Sequence, residues 1–292
     1  MLSVISNGSE IALDDGVICT LMEINGLGIP PLSNYYTAGA LQNGETYRGV
    51  LLDTRIIRAK FAIAPASFSD YFVKRSALLE LFSPSAAPIL RFTQPGGEKR
   101  DIPVQVNNEV SAEITADNWM RENMVIVLRA PDPTFYDPTA QSISVLGGSG
   151  TDAFEVPTAV PLEVGSDAVN LTTVINYHGT WQEFPTIRII GPITNPIVEN
   201  TTTDEQLDFT GYTIAAGHYI DIDCRWGRKT VLLNGSTNAI DKLSATSDLS
   251  TFHIAQKSYG EADKPNSIKF TGSASNTNTR LDISYLERYI GL

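Results

Sequence analysis

The sequence is poor in the residues that most often carry chemistry. It holds two cysteines and three histidines in 292 residues. Cys19 and Cys224 each fall on an apolar, strand-like run in a different half of the chain, which reads as two buried free thiols and not a disulfide. His178, His218 and His253 lie in turn or strand contexts without ligand spacing. No nucleophile elbow and no phosphate-cradling glycine loop is present. Asp221-x-Asp223 fails as a calcium loop, because Arg225 occupies its fifth position and Trp226 stands where glycine belongs. The acidic pair Asp204-Glu205 is not by itself a glycosidase dyad. These absences predict no catalytic residue, no metal site and no cofactor.

Positive charge is also scarce. Lys and Arg total 21 against 33 Asp and Glu, giving a net charge of -12 and a pI near 4.7. That excludes the basic footprint of a nucleic-acid binder and reads most simply as solubility. Apolar runs stay well short of the ~20 residues of a membrane span. No basic region precedes the short apolar piece in Met1–Gly8, so neither a signal peptide nor membrane insertion is expected. Without secretion, the triplets at Asn170, Asn200 and Asn234 carry no glycosylation meaning.

What the chain does have is β pattern. Hydrophobic content of 42% and a length of 292 residues suit two folded domains, each with its own core. Val17–Ile24 reads as a β-branched strand running into the turn Asn25-Gly26. Residues 28–49 read as a long irregular connection bearing Tyr35 and Tyr36, and hence as an arm that touches a neighbouring subunit. Val50–Ile63 reads as one long strand. One helix follows, capped by Ser67 with Asp70 three residues on and stopped by Pro84. Phe68, Phe72, Leu79 and Phe82 are predicted to be its core-facing stripe. Ile89–Phe92 and Ile102–Val106 form a hairpin around Pro95-Gly96-Gly97, and Glu109–Thr115 alternates as a further strand. Met124–Leu128 is a buried strand ended by Pro131, Pro133 and Pro138, with Phe135 and Tyr136 as an aromatic plug.

Gly147-Gly148-Ser149-Gly150 has flexible-linker chemistry, and Phe154–Pro157 and Val160–Pro161 follow as short extended pieces. Beyond them come brief strands separated by turn residues and no persuasive helix, which predicts an antiparallel sandwich. Asn234-Gly235 is the sharpest turn signal, and Arg280–Tyr285 alternates cleanly. Ala255–Lys264 reads as a long loop. Tyr177, Trp181 and Trp226 sit near turns or strand ends and are the candidates for stacking a sugar.

A strand closing in Ala130-x-Asp132-Pro133-x-Phe135-Tyr136 resembles the end of the N-terminal domain in distal tail proteins of long-tailed, non-contractile bacteriophages. The likeness continues in order through Ile187–Pro196, Asp221–Cys224, Lys229–Gly235 and Asn266–Phe270. It implies a split β-barrel or sandwich with one α-helix over residues 1–139, making a hexameric ring. Residues 140–292 would be a galectin-like antiparallel β-sandwich. It further implies a virion location at the distal end of the tail. The expected partners are copies of itself, the major tail tube protein, the tail-tip protein and receptor-binding parts. Ala255–Lys264 departs from that pattern. The rival reading is a carbohydrate-binding module that contacts the host surface, with a glycan hydrolase third.

Overall fold

The computed structural model describes residues 1–83, 85–113, 122–147 and 168–292. Pro84, residues 148–150, Phe154–Pro157, Val160–Pro161 and the last two residues of the Glu109–Thr115 strand lie outside these. Two compact units emerge, Met1–Pro138 with Tyr289–Leu292, and Thr139–Arg288. The last four residues, expected in the second domain, thus belong to the first.

In the first unit the chain runs β1 (Leu2–Ser6), β2 (Ser9–Ala12), β3 (Thr20–Asn25), β4 (Leu32–Thr37), β5 (Thr46–Leu52) and β6 (Arg55–Ile63). Helix α1 (Phe68–Leu81) follows, then β7 (Ile89–Thr93), β8 (Lys99–Pro103), β9 (Gln105–Glu113), β10 (Glu122–Ala130) and β11 (Phe135–Tyr136). One sheet has the order β2-β1-β7-β8-β11, with β23 (Arg288–Tyr289) at its edge. A second has the order β3-β6-β10-β9, and β4 pairs only with β5. Of the barrel and sandwich expected from sequence, the unit takes the open form. Its core draws Val4 and Leu90 from the first sheet, Ile57, Phe61, Ile126 and Leu128 from the second, and Leu78 from the helix. Alternation explains the placing, since Met124, Ile126, Leu128 and Ala130 share one face of β10. Phe135 is fully buried, edge-on to Phe92 with ring centroids 5.8 Å apart. It is the plug that the proline-rich exit predicts.

The long strand and the helix of this unit depart from expectation. The predicted strand Val50–Ile63 breaks at Asp53-Thr54, so that β5 and β6 belong to different sheets. The helix is capped as expected, with the Ser67 side chain accepting from the Asp70 amide, but its buried face is Tyr71, Leu78 and Leu81. Phe68 and Phe72 are 60% and 51% exposed and Leu79 36%; of the predicted stripe only Phe82 is buried. The helix carries apolar residues nearly all round, so spacing alone leaves its phase open, and contact with the sheet decides it.

The second unit contains β12 (Gln141–Leu146), β13 (Val169–Tyr177), β14 (Thr186–Ile190), β15 (Ile193–Asn200), β16 (Glu205–Asp208) and β17 (Thr213–Ile214). It continues with β18 (Tyr219–Asp223), β19 (Thr230–Leu233), β20 (Thr237–Asn238), β21 (Lys264–Ser273) and β22 (Arg280–Tyr285). A six-stranded sheet, β12-β22-β14-β18-β19-β20, and a five-stranded one, β13-β21-β15-β16 with β17 beside β15, enclose a single core. Ile187, Ile189, Ile220, Ile222, Leu281 and Ile283 point into it from the first sheet, and Ile175, Val198, Ile268 and Phe270 from the second. Every pairing described here is antiparallel. Asn234 and Gly235 both take positive φ, 52° and 70°, as their identities predict, in a turn where the Ser236 amide donates to Leu233 O and three residues separate the paired Leu233 and Thr237. Gly147 does not act as a free linker residue: it is buried at the end of β12 and its amide donates to Thr279 O at 2.7 Å. The glycine run therefore follows a strand of the sandwich.

Candidate interaction surfaces

The connection expected over residues 28–49 is a β-hairpin. Its strands β4 and β5 pair from Leu32↔Leu52 to Thr37↔Thr46, with a register shift between Tyr35 and Tyr36. That shift breaks the alternation and lets both tyrosines stay 52% exposed. Tyr36 stacks edge-on to Tyr47 across the pair, with centroids 5.8 Å apart. Tyr47, Leu51 and Ile29 are also more than half exposed. Polar bonds stiffen the tip: the Gly39 amide donates to Gln42 Oε1 and Gln42 Nε2 to Thr46 Oγ1, each at 2.9 Å. At the base Ser33 Oγ donates to Asp53 Oδ2 at 2.6 Å, and the Asp53 amide to Pro31 O at 2.8 Å. A lone two-stranded hairpin is marginal in water, and one with this much exposed apolar surface wants covering.

The root of the hairpin is held by Arg55, which is 1% exposed. Its guanidinium donates to Pro133 O and to Gly26 O at 2.7 Å, to Gly28 O at 2.6 Å and to Ile290 O at 2.7 Å. Its plane lies 4.7 Å from the Phe135 ring centroid. Burial lowers its pKa. Four carbonyls thus replace the counter-ion that a buried cation usually needs. Leu292 N donates to Leu27 O beside it. Neither the Arg55 clamp nor the C-terminal strap is legible as such: Arg55 is one of three cations, with Arg58 and Lys60, on the same apolar strand.

The three aromatics that sequence offers for stacking a sugar differ in burial. Tyr177 is fully buried, and its hydroxyl donates to Trp181 O and accepts from the Arg288 amide, each at 2.8 Å. Burial raises its pKa. Gly179 packs so close that an added Cβ would lie 2.4 Å from the ring. That ring is closed to a sugar. Trp181 is half-buried and bridges to Arg288. Trp226 alone is open, 69% exposed, edge-on to Phe184 at 5.3 Å. Lys229 Nζ lies 4.4 Å from the Phe184 centroid and 4.9 Å from that of Trp226. Desolvation lowers the lysine pKa.

The remaining sequence candidates are accounted for by packing. Both cysteines are buried and free, and burial pushes each thiol up to about 12. Asp221 pairs with Arg188 and Asp223 with Arg225. His178 lies 2.8 Å from Glu287, His218 bonds Asn234, and His253 lies 2.9 Å from Glu205. Among the described residues no group of three or more His, Cys, Asp or Glu side chains is placed to hold a metal, and no helix is long and apolar enough to cross a membrane.

No protein-family model matches the chain, and neither does any curated protein. Among solved structures it resembles the Dit protein of phage SPP1, described as a paradigm of the hub adsorption apparatus in phages infecting Gram-positive hosts. That likeness has a TM-score of 0.63 at 12% identity and covers 99% of each chain. A chain of the phage p2 baseplate in its activated conformation with strontium matches over 97% of both chains at 10% identity, with a TM-score of 0.46. At such identity the SPP1 likeness is one of fold. Both units, in order and nearly end to end, have the architecture of that Dit protein.

Proposed function

We propose that the chain is a structural hub at the distal end of a phage tail. The observation that carries this is the fold likeness to SPP1 Dit over 99% of both chains, which spans the unlike units together and not one common domain. In this reading residues 1–139 form a ring of six copies, joined above to the tail tube protein and below to the tail-tip protein. The second unit, Thr139–Arg288, forms the galectin-like sandwich on which receptor-binding parts dock. The protein acts by assembly and not by turnover. The freestanding hairpin supports the ring: its tyrosines present apolar surface that a neighbouring copy would cover, and head-to-tail contacts of that kind close into cyclic symmetry. Tyr35 and Tyr36 are the contact residues we assign.

Sedimentation over a range of concentrations tests the proposal. The two ends of the hairpin meet at the Asp53–Pro31 hydrogen bond, so residues 32–52 can be replaced by a two-residue turn with little strain on the rest. The intact chain should sediment at about six times its 31.7 kDa and the armless variant at one. Equal oligomer size in both removes the hairpin from the contact. An intact chain that stays monomeric at every concentration, alone and with tail tube protein added, overturns the ring and favours a carbohydrate-binding module.

A further inference from the structure

The outward face of the six-stranded sheet in the second unit holds a groove of about 530 Å³, a volume typical of small-ligand sites. Two rows of side chains cross its floor. Ser142, Ser284, Thr186, Asp223 and Thr230 are successive register partners from β12 to β19. Two residues along each strand, Ser144, Asp282, Arg188, Asp221 and Leu232 make the second row. Strands lie about 4.8 Å apart, so each row runs about 19 Å, the reach of a short linear oligosaccharide.

The chemistry of the rows selects the ligand. Hydroxyls dominate the first row, while the second alternates carboxylate and guanidinium. Arg188 holds Asp221 in a fork of 2.6 and 2.9 Å and lies 4.3 Å over the Tyr219 ring. Asp282 accepts from Ser144 Oγ at 2.6 Å and from Arg280 Nε at 2.9 Å. The charged groups are thus fixed before any ligand arrives, which lowers the ordering cost of binding. A vicinal diol suits such a pair, one hydroxyl donating to the carboxylate and the next accepting from the guanidinium. Each lining carboxylate holds its own guanidinium, Asp221 that of Arg188, Asp282 that of Arg280 and Asp223 that of Arg225, so among the described residues the groove has no unpaired cation to hold a phosphate- or uronate-bearing polymer. A protein partner would want apolar anchors, and Leu232 is the one apolar side chain in either row.

We propose that this groove binds a neutral, linear oligosaccharide along the two rows. Trp226, the open one of the three aromatics singled out in the sequence, is not among the groove's lining residues.

Titration calorimetry on the full chain tests this with neutral tetrasaccharides built on glucose, galactose or N-acetylglucosamine, and with glycerol-phosphate oligomers as the anionic comparison. At least one neutral series should bind at one site per chain. Ser144→Arg, at an exposed position in the groove, and the double variant Arg188→Gln with Asp221→Asn should each weaken it at least tenfold, while Trp226→Ala leaves it unchanged. Should the variants unfold, hydrogen exchange on the wild type decides, with sugar expected to protect β14 and β22. No neutral sugar binding at millimolar concentration overturns the proposal. So does binding that Trp226→Ala abolishes and Ser144→Arg spares, or a preference for the anionic oligomer. Loss of a tail protein's docking in Ser144→Arg, with no sugar bound by the wild type, makes the groove a protein face instead.

Discussion

Replacing Arg55 tests how the first unit holds together. Charge-assisted hydrogen bonds contribute about 1.5–3 kcal/mol each, so the four that Arg55 makes to carbonyls gross about 6–12 kcal/mol. Burying a cation without a counter-ion costs several kcal/mol in return. Arg55→Met removes both sides of that balance and leaves four carbonyls without their donor. The cost should be about 4 kcal/mol. Arg55→Lys keeps the charge, but a compact ammonium cannot span four acceptors spread around a planar fork. It should recover no more than about half of the loss.

Calorimetry on the intact chain should resolve two transitions, one for each unit. At about 2–4 °C per kcal/mol for a unit of this size, Arg55→Met should lower the transition of the first unit by about 8–16 °C. The second unit should melt where it did. Hydrogen exchange should show the Leu292 and Asp53 amides, bonded to Leu27 O and Pro31 O, opening faster than in the wild type. A loss under about 1 kcal/mol, or a shift confined to the second unit, would refute the clamp. So would full rescue by lysine.

The sandwich makes its own pH prediction. Burial alone would raise the pKa of Asp208, but hydrogen bonds from Thr210, Ser244 and Thr246 outweigh it and hold the carboxyl below its ordinary value. A lowered folded-state pKa adds stability that is present above the unfolded value of about 3.9 and is lost as pH falls through the folded one. Asp208→Asn should cost about 1–3 kcal/mol at pH 7, with the gap to wild type closing below about pH 4; a gap independent of pH in urea unfolding refutes it. Cys19 and Cys224 should resist maleimide in the native protein and react together once it is denatured. Labelling of either under native conditions would show that its site opens.

Much of the β pattern was legible because alternation and turn chemistry act locally. Arg280–Tyr285 announces its inward face by apolar period two, Met124–Leu128 reads as a buried strand through an unbroken apolar run, and Asn234-Gly235 specifies its turn through residues that tolerate positive φ. Helix α1 was legible as a helix, through Ser67, but not in its phase. With Phe68, Tyr71, Phe72, Val73, Leu78, Leu79 and Leu81 spread round it, only the sheet it meets selects Tyr71 and Leu78. The hairpin was hidden because Tyr35-Tyr36 interrupt alternation at a register shift. For Tyr177, Trp181 and Trp226, nearness to turns said nothing of burial, and Tyr177 proved to be core. The polar rows of the groove were beyond sequence reading because each joins five strands drawn from residues 142 to 284. Arg55 escaped for the same reason, as its acceptors come from residues 26, 28, 133 and 290.

The return of Tyr289–Leu292 to the first unit has a mechanical meaning. The sandwich is a long excursion that leaves the first unit after Pro138 and returns to it at Tyr289, so two backbone crossings, and not one, join it to that unit. Tension on anything the sandwich holds divides between them. One crossing feeds the load into the proline-stiffened exit, and the other into the Ile290 carbonyl on Arg55 and the Leu292 amide on Leu27. Both lines of force end at the root of the hairpin. A pull on the second unit is thereby delivered to the base of the hairpin.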